Sequence, residues 1–286
     1  MGFRTVVIKN RSKLDLKMNY LICRGEDTTS IFIPEISMLI LESTAISLTC
    51  ALISELIKNN VKIIFCDEKH NPESELLAYH NSYNSAKRIK QQIQWDEKVH
   101  HAVWSKIIEN KILNQAKLLR EQNLIKEEEM LLKYSTEIVE NDLTNREGHA
   151  AKVYFNALFG LDFGRRNEHI INGALNYGYA ILLSCFNREI TRMGYLTQIG
   201  IWHKNEYNAF NLSCDLIEPF RVLIDRIVVN MDKNKEIKSQ ILNIFNIKIK
   251  IDNKLQYLEN AISIYCQSII EALNNKNPNL IKFYEL

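Results

Sequence analysis

Near residue 75 the spacing of apolar residues changes from two to about 3.6, and with one short exception it does not change back. A period of two puts alternate side chains on opposite faces of a strand, whereas 3.6 lines them along one stripe of a helix. One uniform architecture is therefore excluded. Before the change, "TVVI", "KLDLKMNYLICR", "SIFI", "SMLILES" and "VKIIFC" are short runs rich in β-branched residues, parted by polar turns such as "NRSK" and "RGEDTT". One helix interrupts them: in "SLTCALISELIKNN", Leu48, Leu52, Ile53, Leu56 and Ile57 keep a helical spacing, with Ser47 as N-cap and Asn59 and Asn60 at the end.

After the change, "WSKIIENKILNQAKLLREQN" sets Ile108, Ile112, Ala116 and Leu119 on one stripe of an amphipathic helix. Further helices are predicted at about 124–140, 146–159, 168–193, 219–231 and 254–274. The exception is "NIKIKID", where Ile247, Ile249 and Ile251 alternate with Lys248 and Lys250 as a short strand would. The 286 residues thus divide into two domains of an α+β protein. Residues 1–75 form a small N-terminal β-rich domain that ends in a polar stretch with Pro72, 76–84 a linker, and 85–286 a larger all-α C-terminal domain.

Six scattered cysteines without a C-x-x-C pair, each among apolar neighbours, read as buried thiols of a reducing, cytoplasmic compartment. No basic n-region precedes an apolar h-region, and apolar runs fall short of the roughly 18 residues of a membrane span. The formal net charge of +2 excludes a globally polycationic coat, yet leaves room for a local basic face. From Lys87 to Arg120 there are eight cations, among them Lys87, Arg88 and Lys90, against three acids, with Gln91, Gln92, Gln94, Trp95 and Trp104 interleaved. That mixture suits phosphate contact and base packing, although a solvated helix face is the simpler reading of such a run. Glycine is lopsided too: outside Gly2 and Gly25, all of it falls between Gly148 and Gly200, which predicts tight turns and close helix contacts there.

Two segments in or just beyond this glycine-rich stretch carry candidate chemistry. In "TNREGHAAKVYFNALFG", Thr144 and Glu147 have the spacing of a capping box, which is a sufficient structural use for Glu147. In "TQIGIWHKNEYNAFNLSCDLIEPFR", His203 lies in a polar stretch past Gly200, where a plain surface histidine is the commoner outcome. Glu218 precedes Pro219 and fits an acid at the positive end of a helix. Taken jointly, Glu147, His203 and Glu218, with Asp215 as an accessory acid, form a carboxylate and imidazole set suited to Mg²⁺ or Mn²⁺ and poorly suited to zinc. Such an ion would also reverse the repulsion between carboxylates and a DNA phosphate.

At these residues the chain resembles the CRISPR-associated integrases that form the larger subunit of the spacer-acquisition complex, in particular their type II-A branch. The matching segments include "RTVVIKNRSKLDLK", "NREGHAAKVYFNALFG", "LNYGYAILLS", "TQIGIWHKN" and "LSCDLIEPFRVLIDRIV". The resemblance implies catalytic metal ligands at Glu147, His203 and Glu218, and a homodimer built through the N-terminal domains. It also implies a small dimeric adaptation partner ("Cas two"), other type II-A adaptation proteins and the effector nuclease. Many relatives carry Asp where Glu218 stands, and beyond about residue 232 the match fades.

The activity so implied is metal-dependent joining of the 3′-hydroxyl ends of short duplex DNA to the CRISPR repeat by transesterification, with Arg165, Arg166 and Arg221 joining Lys87, Arg88 and Lys90 as phosphate-holding candidates. The alternatives are a structure-selective metal-dependent endonuclease acting on branched DNA and a non-catalytic DNA-binding scaffold.

Overall fold

The computed structural model describes residues 2, 4–76, 78, 84–232 and 234–286, which form two compact units, Met1–His80 and Asn81–Leu286. The proposed linker at 76–84 lies mostly outside the described residues. In the first unit, strands β1 (Arg4–Ile8), β5 (Ile36–Leu41), β7 (Lys62–Cys66) and β8 (Pro72–Leu76) form one sheet in that order, parallel except for the last pair. A second sheet runs β4 (Thr28–Phe32), β3 (Tyr20–Arg24), β2 (Ser12–Lys17), β6 (Ile46–Leu48).

The sequence explains both sheets. Met18 and Asn19 take positive φ of 45° and 64°, which suits the tight two-residue turn between β2 and β3. Every residue of β5, "ISMLIL", is buried, as a central strand flanked by parallel partners requires. Leu14, Leu21, Ile33, Leu39 and Ile63 share one core with Leu52 and Leu56 of helix α1 (Cys50–Lys58). The cap of α1 differs from expectation. Thr49 accepts from Leu52 N at 3.3 Å, while Ser47 belongs to β6, a short strand that pairs with β2 and that the periodicity does not indicate.

The second unit is built on α3 (Glu97–Glu121), a rod of about 37 Å. Asp96 caps it by accepting from Lys98 N at 3.0 Å. Around it lie α2 (Ser85–Ile93), α4 (Ile125–Thr136), α5 (Arg146–Phe159), α6 (Ile170–Arg192), α7 (Asn211–Leu216), α8 (Arg221–Val229), α9 (Ile237–Leu242) and α10 (Leu258–Asn274). Ile108, Ile112, Ala116 and Leu119 are all buried, as the stripe predicts. Gly178 on α6 faces α8 so closely that a Cβ there would meet Ile224 Cγ2 at 2.5 Å.

An all-α description of this unit needs correction. Strand β9 (Lys248–Ile251) sits where the isoleucines alternate, but it pairs with β10 (Lys254–Tyr257) on one side and β11 (Tyr284–Glu285) on the other. The helix expected from 254 therefore begins only at Leu258. Asp252 and Asn253, with φ of 52° and 60°, turn the chain back into the hairpin instead. Cys50 is likewise exposed at the head of α1, so the six thiols are not uniformly buried. No helix among the described residues is long and apolar enough to cross a membrane.

Candidate active site

Glu147 stands in the first turn of α5, and the capping box expected to occupy it is absent. Asn141, Asp142 and Asn145 all take positive φ, curling the chain so that Asp142 lies under the helix start. Its two oxygens accept from Arg146 N at 2.8 Å and Glu147 N at 2.9 Å. The main-chain donors are thus satisfied by Asp142, and the Glu147 carboxylate is free for another use.

That use is shared with Glu218. The chain passes from α7 through a 3-10 turn at Glu218–Phe220, opened by Pro219, into α8. Between the two carboxylates sits the ammonium of Lys111 from α3, 2.5 Å from Glu147 Oε1 and 2.5 Å from Glu218 Oε2. The other oxygen of Glu218 accepts from Arg221 Nε at 2.8 Å. Burial pushes the Glu218 carboxyl up, but Arg221 and Lys111 outweigh it and hold the group down at about 2. Burial likewise opposes the Lys111 charge, and Glu218 and Glu147 more than restore it.

A cavity of about 250 Å³ opens on this cluster, lined also by Gln115, Phe155, Arg165, Tyr179 and Asp225. At its edge Arg165 lies over the rings of Phe155 and Tyr179 at 5.7 and 5.5 Å, and donates to Asn176 Oδ1 at 2.8 Å. Asp225 is buried and accepts from Tyr154 and Tyr179 hydroxyls.

Asp215 has a different role from its neighbour. It is fully buried, and its oxygens accept from Ile201 N at 2.6 Å, Trp202 N at 3.0 Å and His203 N at 3.1 Å. It also meets His203 Nδ1 at 2.5 Å. A carboxylate can only accept, so Nδ1 carries a proton and, in the neutral ring, Nε2 is left with the lone pair. The hydrogen bond to Asp215 raises the basicity of His203 against burial, and the Glu218 and Glu147 charges add to it. Gly200 makes this corner possible: a Cβ there would lie 2.5 Å from His203 O and 2.7 Å from Asp215 Oδ2. The ring packs edge-on to Trp104, which itself stacks on Trp202 at 5.5 Å.

The structure therefore brings Glu147 and Glu218 together, and places His203, backed by the buried Asp215, in a separate groove lined also by Trp95, His100 and Asn211. Among the described residues no three His, Cys, Asp or Glu side chains form one metal-holding group. Two charge-paired carboxylates and an imidazole with its Nδ1 fixed by a carboxylate are nonetheless the donor chemistry a hard divalent ion accepts.

The basic run resolves unevenly. Lys87, Lys90 and Arg166 are exposed, and Arg88 lies over the Tyr195 ring at 5.9 Å. Lys111 is instead buried in the cavity, Arg120 pairs with Glu128 at 2.8 Å, and Arg221 is engaged with Glu218. Two presumed nucleic-acid contacts are structural. Trp104 is core, and Gln92 pins the 196–199 loop through Leu196 O and N and Ile199 O.

Residues 5–254 match the family model described as "CRISPR associated protein Cas1". The chain is 30% identical over 296 residues to the CRISPR-associated endonuclease Cas1 of Neisseria meningitidis serogroup C (strain 8013), covering all of this chain and 97% of that protein. Its fold is similar to that of a casposase bound to integration product, with TM-score 0.78, 19% identity and coverage of 97% of this chain and 92% of the other. It is also similar to a chain of a Cas6-RT-Cas1–Cas2 complex, with TM-score 0.75, 19% identity and coverage of 98% and 36%. The family match over residues 5–254 and the identity over the whole length show that the chain belongs to the CRISPR-associated Cas1 family.

Proposed function

We propose that this protein is a metal-dependent integrase of CRISPR spacer acquisition, within the type II-A branch, and that it joins 3′-hydroxyl ends of short duplex DNA to the repeat. The observation that carries this reading is the convergence of Glu147 and Glu218 on one cationic point, with their charges also acting on His203, in a member of the Cas1 family. The two carboxylates and His203 Nε2 would hold Mg²⁺ or Mn²⁺, which stabilises negative charge on a phosphoryl oxygen and on the departing 3′-oxygen. Arg165 and Arg221 at the cavity supply positive charge for a phosphate. Asp215 fixes the ring so that Nε2 alone is offered, either to the ion or to the proton of an incoming hydroxyl.

The similarity to chains named for a Cas1–Cas2 complex and for a casposase with integration product supports a second, small Cas protein and duplex DNA as partners. A homodimer through the N-terminal units completes the proposed assembly. The relative's name of endonuclease supports a second reading, a nuclease on branched DNA that uses water in place of the hydroxyl.

The test incubates protein, small partner, Mn²⁺ or Mg²⁺, a labelled short duplex and a supercoiled plasmid bearing the repeat. Label transfer into the plasmid as a covalent branch is expected; a nick without transfer selects the nuclease. Glu147→Ala and His203→Ala should each abolish transfer while most salt-sensitive DNA binding persists. Undiminished transfer in both variants overturns the site.

A further inference from the structure

The cation that joins Glu147 to Glu218 is a side chain, and it occupies the position that an arriving ion needs. Lys111 is 9% exposed and its ammonium bonds both carboxylates at once. Two cations held against the same oxygens in a water-poor site repel strongly, so an ion and the ammonium cannot share that point. Helix α3 offers the ammonium another acceptor. Gln115, one turn beyond Lys111, lines the same cavity, is 3% exposed, and has a buried Oε1 with no hydrogen-bond partner among the described residues. Side chains four apart on a helix are neighbours, and a buried acceptor left without a donor costs about 1–3 kcal/mol. The unused oxygen is thus within reach of the displaced donor.

We propose that Lys111 is an exchangeable internal counter-ion. It holds Glu147 and Glu218 together until a divalent ion takes its place, and then donates to Gln115 Oε1 inside the same cavity. The proposal rests on the metal-site reading above and adds a charge consequence to it. Lys111, Arg165 and Arg221 balance the carboxylates of Glu147, Glu218 and Asp225 that line the cavity, so the site is neutral before the ion enters. An ion that shifts Lys111 to Gln115, still inside the cavity, leaves the cavity two positive charges in excess. A phosphate is then drawn in only after loading, and by reciprocity DNA tightens the hold on the ion.

The experiment measures Mn²⁺ affinity of the purified full-length chain by electron paramagnetic resonance of the free ion, without DNA or turnover. Lys111→Met and Lys111→Gln, which remove the competing charge, should each bind Mn²⁺ about tenfold tighter or more, while Lys111→Arg stays near the original value. Glu147→Gln should weaken binding in every background. Melting curves monitor folding: Lys111→Gln without metal should melt lower than the original protein, and saturating Mn²⁺ should raise it by more. Equal or weaker affinity in both neutral variants, with Glu147→Gln still harmful, overturns the counter-ion role and leaves the metal site standing. Absence of Mn²⁺ binding in all of them overturns both.

Discussion

Asp215 and Glu218 stand three residues apart on consecutive turns, are both buried, and are held in opposite ways. Three main-chain amides and an imidazole converge on Asp215, so its partners are fixed by the path of the chain from Ile201 to His203. Glu218 is held by the tips of Lys111 and Arg221, which swing on flexible stems. Amides cannot be exchanged without unmaking the turn, whereas an ammonium can be replaced by another cation. One acid is a fixture of the scaffold, and its neighbour is an anion kept available.

The largest expected effect comes from erasing the fixture. Asp215→Ala leaves three main-chain amides and an imidazole without their acceptor and should cost about 3–5 kcal/mol, read by urea unfolding, together with loss of joining activity. A cost below about 1 kcal/mol would put Asp215 in the same class as an exchangeable surface partner and dissolve the contrast.

A second test sets Glu218 against Asp225 across the same cavity. Burial lifts the Asp225 carboxyl to about 6 despite the two tyrosine hydroxyls and the more distant charges of Arg221 and Arg165, for among the described residues it has no ion pair such as Lys111 makes with Glu218. For an acid raised on folding, the stabilising contribution is complete below the ordinary carboxylate range and is lost as pH rises through about 6. For Glu218, depressed on folding, it is present above that range and lost as pH falls through about 2. Asp225→Asn should therefore remove a decline of up to about 3 kcal/mol between about pH 4 and 6 in the difference between variant and original unfolding curves. A difference that does not vary with pH in that window would place Asp225 among the cation-paired acids.

The smallest effect belongs to the exposed cations. Lys87→Gln with Lys90→Gln should change stability by no more than about 0.5 kcal/mol, yet lower the slope of log affinity for duplex DNA against log salt by about two. An unchanged slope would assign α2 to solvent alone.

The periodicities made α3 and the N-terminal strands readable, because burial of a stripe is a local property of spacing. The site was readable only as residue types. Lys111 reads as one more cation of a solvated run, since its partners Glu147 and Glu218 lie 36 and 107 residues away and no local pattern ties them together. The Thr144 and Glu147 spacing pointed to a cap that the structure does not use. The signal against it was the density of Asn and Asp in "ENDLTN", residues that tolerate left-handed backbone and here let Asp142 reach the helix start first. Asp215 read as an accessory acid for want of any way to see the loop folded over it. Gly200 was the visible trace, marked by the glycine clustering but not by its purpose.

Because Trp104 and Lys111 project from the same unbroken rod, α3 sets the spacing between the imidazole corner and the carboxylate pair. Each residue of a helix advances about 100°. Inserting or deleting one amino acid between them would swing one anchor out of register with the other, so this stretch admits substitutions but no change of length. Drift in such a lineage must accumulate in the loops at either end of the rod.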